Sequence, residues 1–482
     1  MASGGLEKSR GVSIPWALPM TKTTSTPRTE KVRRRSAGGK PSRGWDLQRA
    51  GRKIRRADVR KLHIGAPDAR LTTVGGLVSF NAFVREQGLH RELARRFGRL
   101  KRGWRVVYPM SAQMQLLLDL SVAGGLRVFD LEMLAADPLF THLAGGSVPS
   151  IDILYDDLRR FDASALEDLE ELLAEHGAAS LRGQRLREVF VDLDTTVTPL
   201  FGTQQGALPG PNPHYHGRPS YHPILARIAQ TGTFIGARLR PGDRGLGELD
   251  VEDVEQWLDR TRAAVGPQTL ITMRIDAGGD CAALLRAIDN KGAWFLVKMK
   301  QTPNLVGAVW ATQRWVTVER DALGQPVRQV AEIDFKRDDW PPGKWRVFAM
   351  RTNERLSGHQ AGLWEDLDFS VHVYVTNDAA HDADELARRY DDRAGIEPVF
   401  AELKGGFGIG KVSTDCFDAN EAAFLLKVLA FNLLRRWGQT RHPAFASWRT
   451  TWIRRICVQI PGRLLRAGGR WELRLAPRPM LS

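Results

Sequence analysis

Cysteine is scarce in this chain: three stand in 482 residues, Cys281, Cys416 and Cys457, far apart and without a CxxC pair. That excludes a disulfide framework and a cysteine-built zinc knuckle, and the expectation is a reduced, cytosolic protein. No run approaches the ~18–20 uninterrupted apolar residues of a membrane helix, so a helical membrane protein is excluded as well. The opening stretch MASGGLEKSRGVSIPWALPM lacks the apolar centre of a secretory signal. What is present is an ordinary globular balance, 43% hydrophobic and 26% charged residues. Disordered and collagen-like classes fall away, and the length suits two or three domains of ~100–200 residues.

The charge is +15 overall but unevenly placed. Residues 1–60 carry 16 basic and 4 acidic side chains, and residues 435–482 carry 11 arginines against Glu472 alone. The long middle is therefore mildly acidic, at −7. Basic ends laid on a phosphate backbone release condensed counterions, giving salt-sensitive affinity without base readout. An acidic middle leaves carboxylates uncancelled, which a centre that gathers divalent cations requires.

Composition and periodicity divide the chain into six stretches. Residues 1–65 are Ser-, Thr-, Gly- and Arg-rich and are expected to be a flexible basic segment. Residues 66–183 place apolar side chains three and four apart in four to six helices, the last opened by Asp162 as a cap. At 184 the period changes to two in LREVFVDLDTTVTPLFG, a strand. Strands and helices then alternate to residue 300 (FIGARLRPGD, VEDVEQWLDRTRAAVG, TLITMRID, DCAALLRAIDNKG, WFLVKMK). Residues 301–369 read as a β-rich insertion, and 370–437 resume the sheet with FSVHVYVTN before two helices. Residues 438–482 form a basic C-terminal segment. The order predicts an α/β protein: an RNase H-like catalytic domain with a β-rich insertion, preceded by an α-helical region.

In such a sheet, carboxylates cluster at strand ends. Asp192 and Asp194 share one face of their strand because side chains alternate with period 2. Asp276 ends LITMRID, and Glu397 lies on the helix after the last sheet strand. Three converging acids would hold two Mg²⁺ or Mn²⁺ ions. In YDDRAGIEPVFAELK, Tyr390, Arg393, Glu397 and Lys404 fall on one stripe of a helix. Pro398 is expected to kink that helix or restart it at Glu397.

These residues carry a resemblance. Tyr390, Arg393, Glu397 and Lys404 match at each interval the Y-R-E-K signature of DDE transposases of bacterial insertion sequences. The blocks VDLDTTVTPLFGTQQGALPGPNPHYHGRPSYHPILA, MRIDAGGD and FDANEAAFLLKVLAFNLLRRW are similar to those of the insertion-sequence thirteen-eighty family, from about Leu71 to about Gly462. The resemblance implies Asp194, Asp276 and Glu397 as a metal-binding catalytic triad, with Asp192 as alternative to Asp194 and Asp280 as a rival to Asp276 that could be a plain helix cap. It implies cleavage at the element's terminal inverted repeats and joining to target DNA, with Tyr390, Arg393 and Lys404 on phosphates. Double-stranded DNA as partner, a homodimer that pairs two ends, and a bacterial cytoplasmic, nucleoid-associated location follow from it.

In relatives the β-rich insertion stacks a flipped base on an aromatic side chain, for which Trp310, Trp315, Trp340 and Trp345 are candidates here. His214, His216 and His222 lack the further ligand that zinc spacing needs, and their loop reads instead as a DNA contact with Arg218. The resemblance implies that residues 66–183 are a helical DNA-end-binding domain, with Arg95, Arg96, Lys101 and Arg102 as candidate phosphate contacts. Two other readings stay open from the residues alone: a repurposed, non-cutting DNA-binding protein, and a structure-selective nuclease on the same sheet.

Overall fold

The computed structural model describes residues 58–210, 216–353 and 369–477. The chain divides into two units, Met1–Pro67 and Asp68–Ser482. The first is described only from Asp58, whose side chain caps a 3-10 turn at Val59–Lys61 by accepting from Arg60 N. The rest of the basic N-terminal stretch lies outside the described residues.

The second unit opens with a two-residue strand, β1 (Leu71–Thr72), and a run of helices: α1 (Leu77–Glu86), α2 (Leu89–Phe97), α3 (Met110–Ala123), α4 (Leu131–Leu134), α5 (Pro138–Leu143), α6 (Ile151–Leu158) and α7 (Ala163–Ala178). Asp162 caps α7 by accepting from Ala165 N at 2.8 Å, which satisfies one of the orphan donors of that helix end. Helix α3 is buried nearly all round, so it cannot be a surface helix. Its apolar side chains, with those of the neighbouring helices, join residues 396–458 in one hydrophobic core. The boundary at 183 that the change of period suggests is thus bridged by shared packing.

Buried in that core, Asp119 accepts from Asn81 Nδ2 and Gln115 Nε2, each at 3.0 Å. Burial pushes its carboxyl up from 3.8 to about 7, against those two hydrogen bonds. The folded chain then holds a proton that the unfolded chain gives up, so stability falls as pH rises between about 4 and 7. Asp119→Asn is expected to remove that slope, exceeding the native chain at pH 8 by on the order of 4 kcal/mol and converging with it near pH 4. Urea denaturation at the two pH values reads it, and a pH-independent difference would show that Asp119 does not titrate in that window.

The sheet region comprises β2 (Glu188–Thr195), the short strands β3 (Thr198–Pro199), β4 (Leu208–Pro209) and β5 (Pro219–Tyr221), then β6 (Ile224–Ile228), β7 (Phe234–Arg238), helix α8 (Val251–Val265), β8 (Leu270–Ile275), helix α9 (Ala282–Asn290) and β9 (Trp294–Lys298). Helix α10 (Pro303–Ala311) follows, then β10 (Val316–Arg320), β11 (Pro326–Ile333), β12 (Arg346–Asn353) and β13 (Phe369–Thr376). The nine-stranded sheet has the order β10-β11-β12-β13-β9-β8-β2-β6-β7. Strand β2 runs parallel to β8, and β8 to β9, while β6 and β7 form an antiparallel meander beside β2. Strand β13 is antiparallel to β9 and carries β12, β11 and β10 outward. The β-rich stretch from 301 therefore lengthens the main sheet, and it also holds a helix, α10, that alternation did not suggest.

Strand alternation gives the sheet two distinct faces. One carries Val189, Val191, Leu193, Met273 and Ile275 into a core with Trp257 and Leu258 of α8 and Leu284 and Leu285 of α9. The other carries Leu296, Phe348 and Tyr374 against Leu386 and Ala387 of helix α11 (Ala383–Asp391). After α11 the chain passes through a 3-10 turn, Asp392–Ile396, and restarts as α12 (Glu397–Glu402), with Pro398 in its first turn. A wide π-turn, Leu403–Phe407, ends it. The long α13 (Phe417–Arg441) fills the helical core, and α14 (Thr450–Ile453) follows.

The basic C-terminal stretch contains a hairpin, β14 (Gly462–Ala467) and β15 (Arg470–Leu475), added to β1 in a three-stranded sheet. Gly468 and Gly469 turn it with φ of 57° and 77°, the left-handed pair a tight hairpin asks for. Leu464 points inward, whereas Arg463 and Arg474 stand directly opposite each other and Arg470 shares their outward face. Among the described residues, no helix is long and apolar enough to cross a membrane.

Candidate active site

The parallel strands set the site. Leu193 of β2 is level with Ile275 of β8, and Ile275 with Val297 of β9. The next residue on each strand therefore falls in one row on one face: Asp194, Asp276, Lys298. Apolar side chains on the opposite face anchor this register, since a slip of one residue would turn Val189, Val191 and Leu193 out of their core.

Asp194 is partly buried, accepts from its neighbour Thr195 N at 2.7 Å, and pairs with Arg393 Nη2 at 2.8 Å. Burial pushes its carboxyl up to about 6; the charge of Asp276 adds to this, and Arg393 and the Thr195 N–H oppose it. Asp276 accepts from Gly278 N at 3.0 Å and opens a 3-10 turn at Ala277–Gly279. Burial lowers the Lys298 ammonium, opposed by Asp276 and assisted by Arg393.

The helix after β13 faces this row. Tyr390 donates to Ile275 O at 3.3 Å, Arg393 to Leu193 O at 3.2 Å, and Lys404 to Val197 O at 3.2 Å. Three members of the stripe thus reach the ends of β2 and β8. Burial raises the Tyr390 phenol to about 12, so it stays a donor. Glu397 sits at the start of the restarted helix, one turn past Arg393, and is exposed. The structure brings Asp194 and Asp276 together; among the described residues no three His, Cys, Asp or Glu side chains gather closely enough to hold a metal.

Asp192 is fully buried, and its two oxygens meet Arg274 Nε at 2.6 Å and Arg227 Nη1 at 3.2 Å. Both lone-pair sets are engaged, so it is a structural anion beneath the site. Arg274 in turn donates to Arg389 O at 2.5 Å, tying α11 to the sheet. Asp280 caps no helix, contrary to the expectation: Cys281 is the cap position of α9, and Asp280 accepts from Lys300 N at 3.0 Å and Arg337 Nη1 at 2.8 Å. Asp276 caps the preceding 3-10 turn, Ala277–Gly279, and α9 itself starts without a side-chain cap.

Other expected contacts separate by burial. Trp340 and Trp345 are core residues, both 8% exposed with ring centroids 5.5 Å apart, and as placed cannot receive a base. Trp310, on α10, is 71% exposed. Trp315 stacks with the Arg351 guanidinium at 4.2 Å, and Trp310, Trp315, Arg351 and Phe369 line a cleft of about 340 Å³. Arg218 lies 4.5 Å from the Phe201 ring. His216 is exposed and His222 buried, while His214 lies outside the described residues. Arg96 is buried among Glu92, Glu171 and Glu175, and Lys101 pairs with Asp157 at 2.6 Å, so neither presents its charge as a phosphate contact. Lys298, Arg274 and Arg389 were not singled out by the sequence; a signal existed for Lys298, the last residue of a third parallel strand.

Residues 55–479 match the family model described as transposase DDE domain group 1. No curated protein matches the chain. Among solved structures, a cryo-EM structure of piggyBac transposase synaptic complex with hairpin DNA is similar over 79% of each chain, at 10% identity and a TM-score of 0.42.

Proposed function

The chain belongs to the DDE transposases of domain group 1, and from that premise we propose that it is the transposase of a bacterial insertion sequence resembling the thirteen-eighty family. It binds the terminal inverted repeats, cuts them, and joins the freed ends to target DNA. Water and then a 3′-hydroxyl attack phosphorus, each forming one P–O bond as another breaks. The observation that carries this reading is the level pairing of Asp194 with Asp276, facing a helix whose Tyr390, Arg393 and Lys404 reach the same strand ends.

The strand order β7-β6-β2-β8-β9, a meander followed by two parallel strands, supports an RNase H-like catalytic domain. Asp194 and Asp276 offer the carboxylate oxygens that hard cations take; Glu397, the third donor of the reading, does not gather with them among the described residues and would have to swing in from the facing helix. Mg²⁺, as two ions and with Mn²⁺ as substitute, supplies charge stabilisation to the attacking and leaving oxygens when bound. Arg393 holds Asp194 in place and lends positive charge beside it, as Lys404 does from the next turns of the helix. Trp310 is the aromatic of the β-rich stretch whose exposure suits base stacking.

The basic C-terminal hairpin favours a DNA-backbone contact through Arg470, since Arg463 and Arg474 already pair with Asp68 and Glu472 at 2.9 and 2.8 Å. Joining two ends calls for two protomers, so the working form is a homodimer acting on the nucleoid in the cytoplasm. The test is a duplex carrying the inverted repeats that flank the gene. The full chain with Mg²⁺ is expected to cut it at the repeat end, and EDTA to stop the reaction. Cutting that persists in EDTA, or no cutting with either Mg²⁺ or Mn²⁺, would refute the proposal.

A further inference from the structure

The row at the strand ends is not two acids alone. Val297 pairs with Ile275, so Lys298 stands level with Asp276 as Asp276 does with Asp194, on the face that the Tyr390–Lys404 helix covers. Lys298 is half-buried, and among the described residues its ammonium has no hydrogen bond and no ion pair within 4.0 Å. The other cations beside the row are committed: Arg393 to Asp194 and Leu193 O, Lys404 to Val197 O, Arg274 to Asp192 and Arg389 O. A lysine kept only to neutralise Asp276 would close on it; this one stops short while still feeling its charge.

We propose that Lys298 is a catalytic residue that contacts the reacting phosphate, its ammonium donating to a non-bridging oxygen of the DNA phosphodiester held beside Asp194 and Asp276. This rests on the reading of the chain as a DNA-cutting transposase. Two carboxylates in a row repel a phosphodiester, and a cation in the same row lowers that repulsion where charge gathers in the transition state. An ammonium on a flexible stem suits the task, because it can follow the oxygen as the phosphorus changes geometry.

The experiment measures single-turnover cutting and duplex affinity for the full-length native chain, Lys298→Met, Lys298→Arg and Asp276→Asn. Lys298→Met is expected to slow cutting by about 10²-fold with affinity for uncut duplex within about twofold, since one contact among many phosphates is lost. Lys298→Arg keeps the charge and is expected to recover most of the rate. Substrates with sulfur in place of one non-bridging oxygen at the scissile phosphate give a readout that a structural role would not move. The sulfur penalty seen with the native chain for one diastereomer should shrink in Lys298→Met, because the contact it weakens is already gone.

Native-like cutting by Lys298→Met, an undiminished sulfur penalty in it, or parallel loss of cutting and affinity would each overturn the assignment. If the native chain cuts no duplex, the transposase reading itself fails and the role of Lys298 falls with it. If the native chain cuts and Asp276→Asn does not, the reading stands whatever Lys298 does.

Discussion

Asp276→Asn and Asp194→Asn are each expected to lower cutting of repeat-end DNA by on the order of 10³-fold or more while leaving duplex affinity nearly unchanged. The amide keeps the shape of the carboxylate and its acceptor oxygen, so Gly278 N and Thr195 N retain partners. What disappears is the anionic oxygen pair that a hard cation requires. Glu397→Gln is expected to behave alike. Asp194→Asn also takes away the charge that Arg393 pairs with at 2.8 Å. That guanidinium still donates to Leu193 O, so the helix keeps one anchor there. Single-turnover cutting in Mg²⁺, beside binding in EDTA, separates chemistry from recognition. A variant that cut at the native rate would remove its residue from the reaction.

Asp192→Ala is expected to act through stability, costing about 3–5 kcal/mol. The carboxylate is fully buried, and removing it strands the charges of Arg274, 2% exposed, and Arg227, 9% exposed, in the interior. Neither arginine can reach water without breaking sheet packing. The effect should spread to the site, because Arg274 holds the Arg389 carbonyl next to Tyr390. Urea unfolding of the variant and of Asp194→Asn, side by side, reads the difference: a large loss for the first, a small one for the second. A loss below about 1 kcal/mol for Asp192→Ala, within the range of exposed pairs, would mean that the ion triad is not the fastening its geometry describes.

Much of the fold was legible because its signals are local. Period-two alternation exposed β2, the apolar run marked β8 as a buried strand, and Asp162 announced the start of α7. Pro398 forecast the restart at Glu397 by the steric rule that governs any proline in a helix. Packing across distant segments was not legible. Alternation made 301–369 β-rich but said nothing of which neighbour its strands would choose, and they chose the main sheet. It also missed α10, whose Trp310 reads no differently in the sequence from the core residue Trp345.

The sequence by itself determined the residue kinds and their faces: two acids two apart on one strand, an acid closing another, and a helix bearing Tyr390, Arg393, Glu397 and Lys404. Only the tertiary structure set the surroundings of Asp192 apart from those of Asp194, because Arg227 comes from β6 and Arg274 from β8, and strand pairing alone closes them on the Asp192 carboxylate. It likewise brought Lys298 level with Asp276. Side-chain direction follows from the chain's own period, but which side chain meets which depends on register between strands, and register is set by the whole buried face at once.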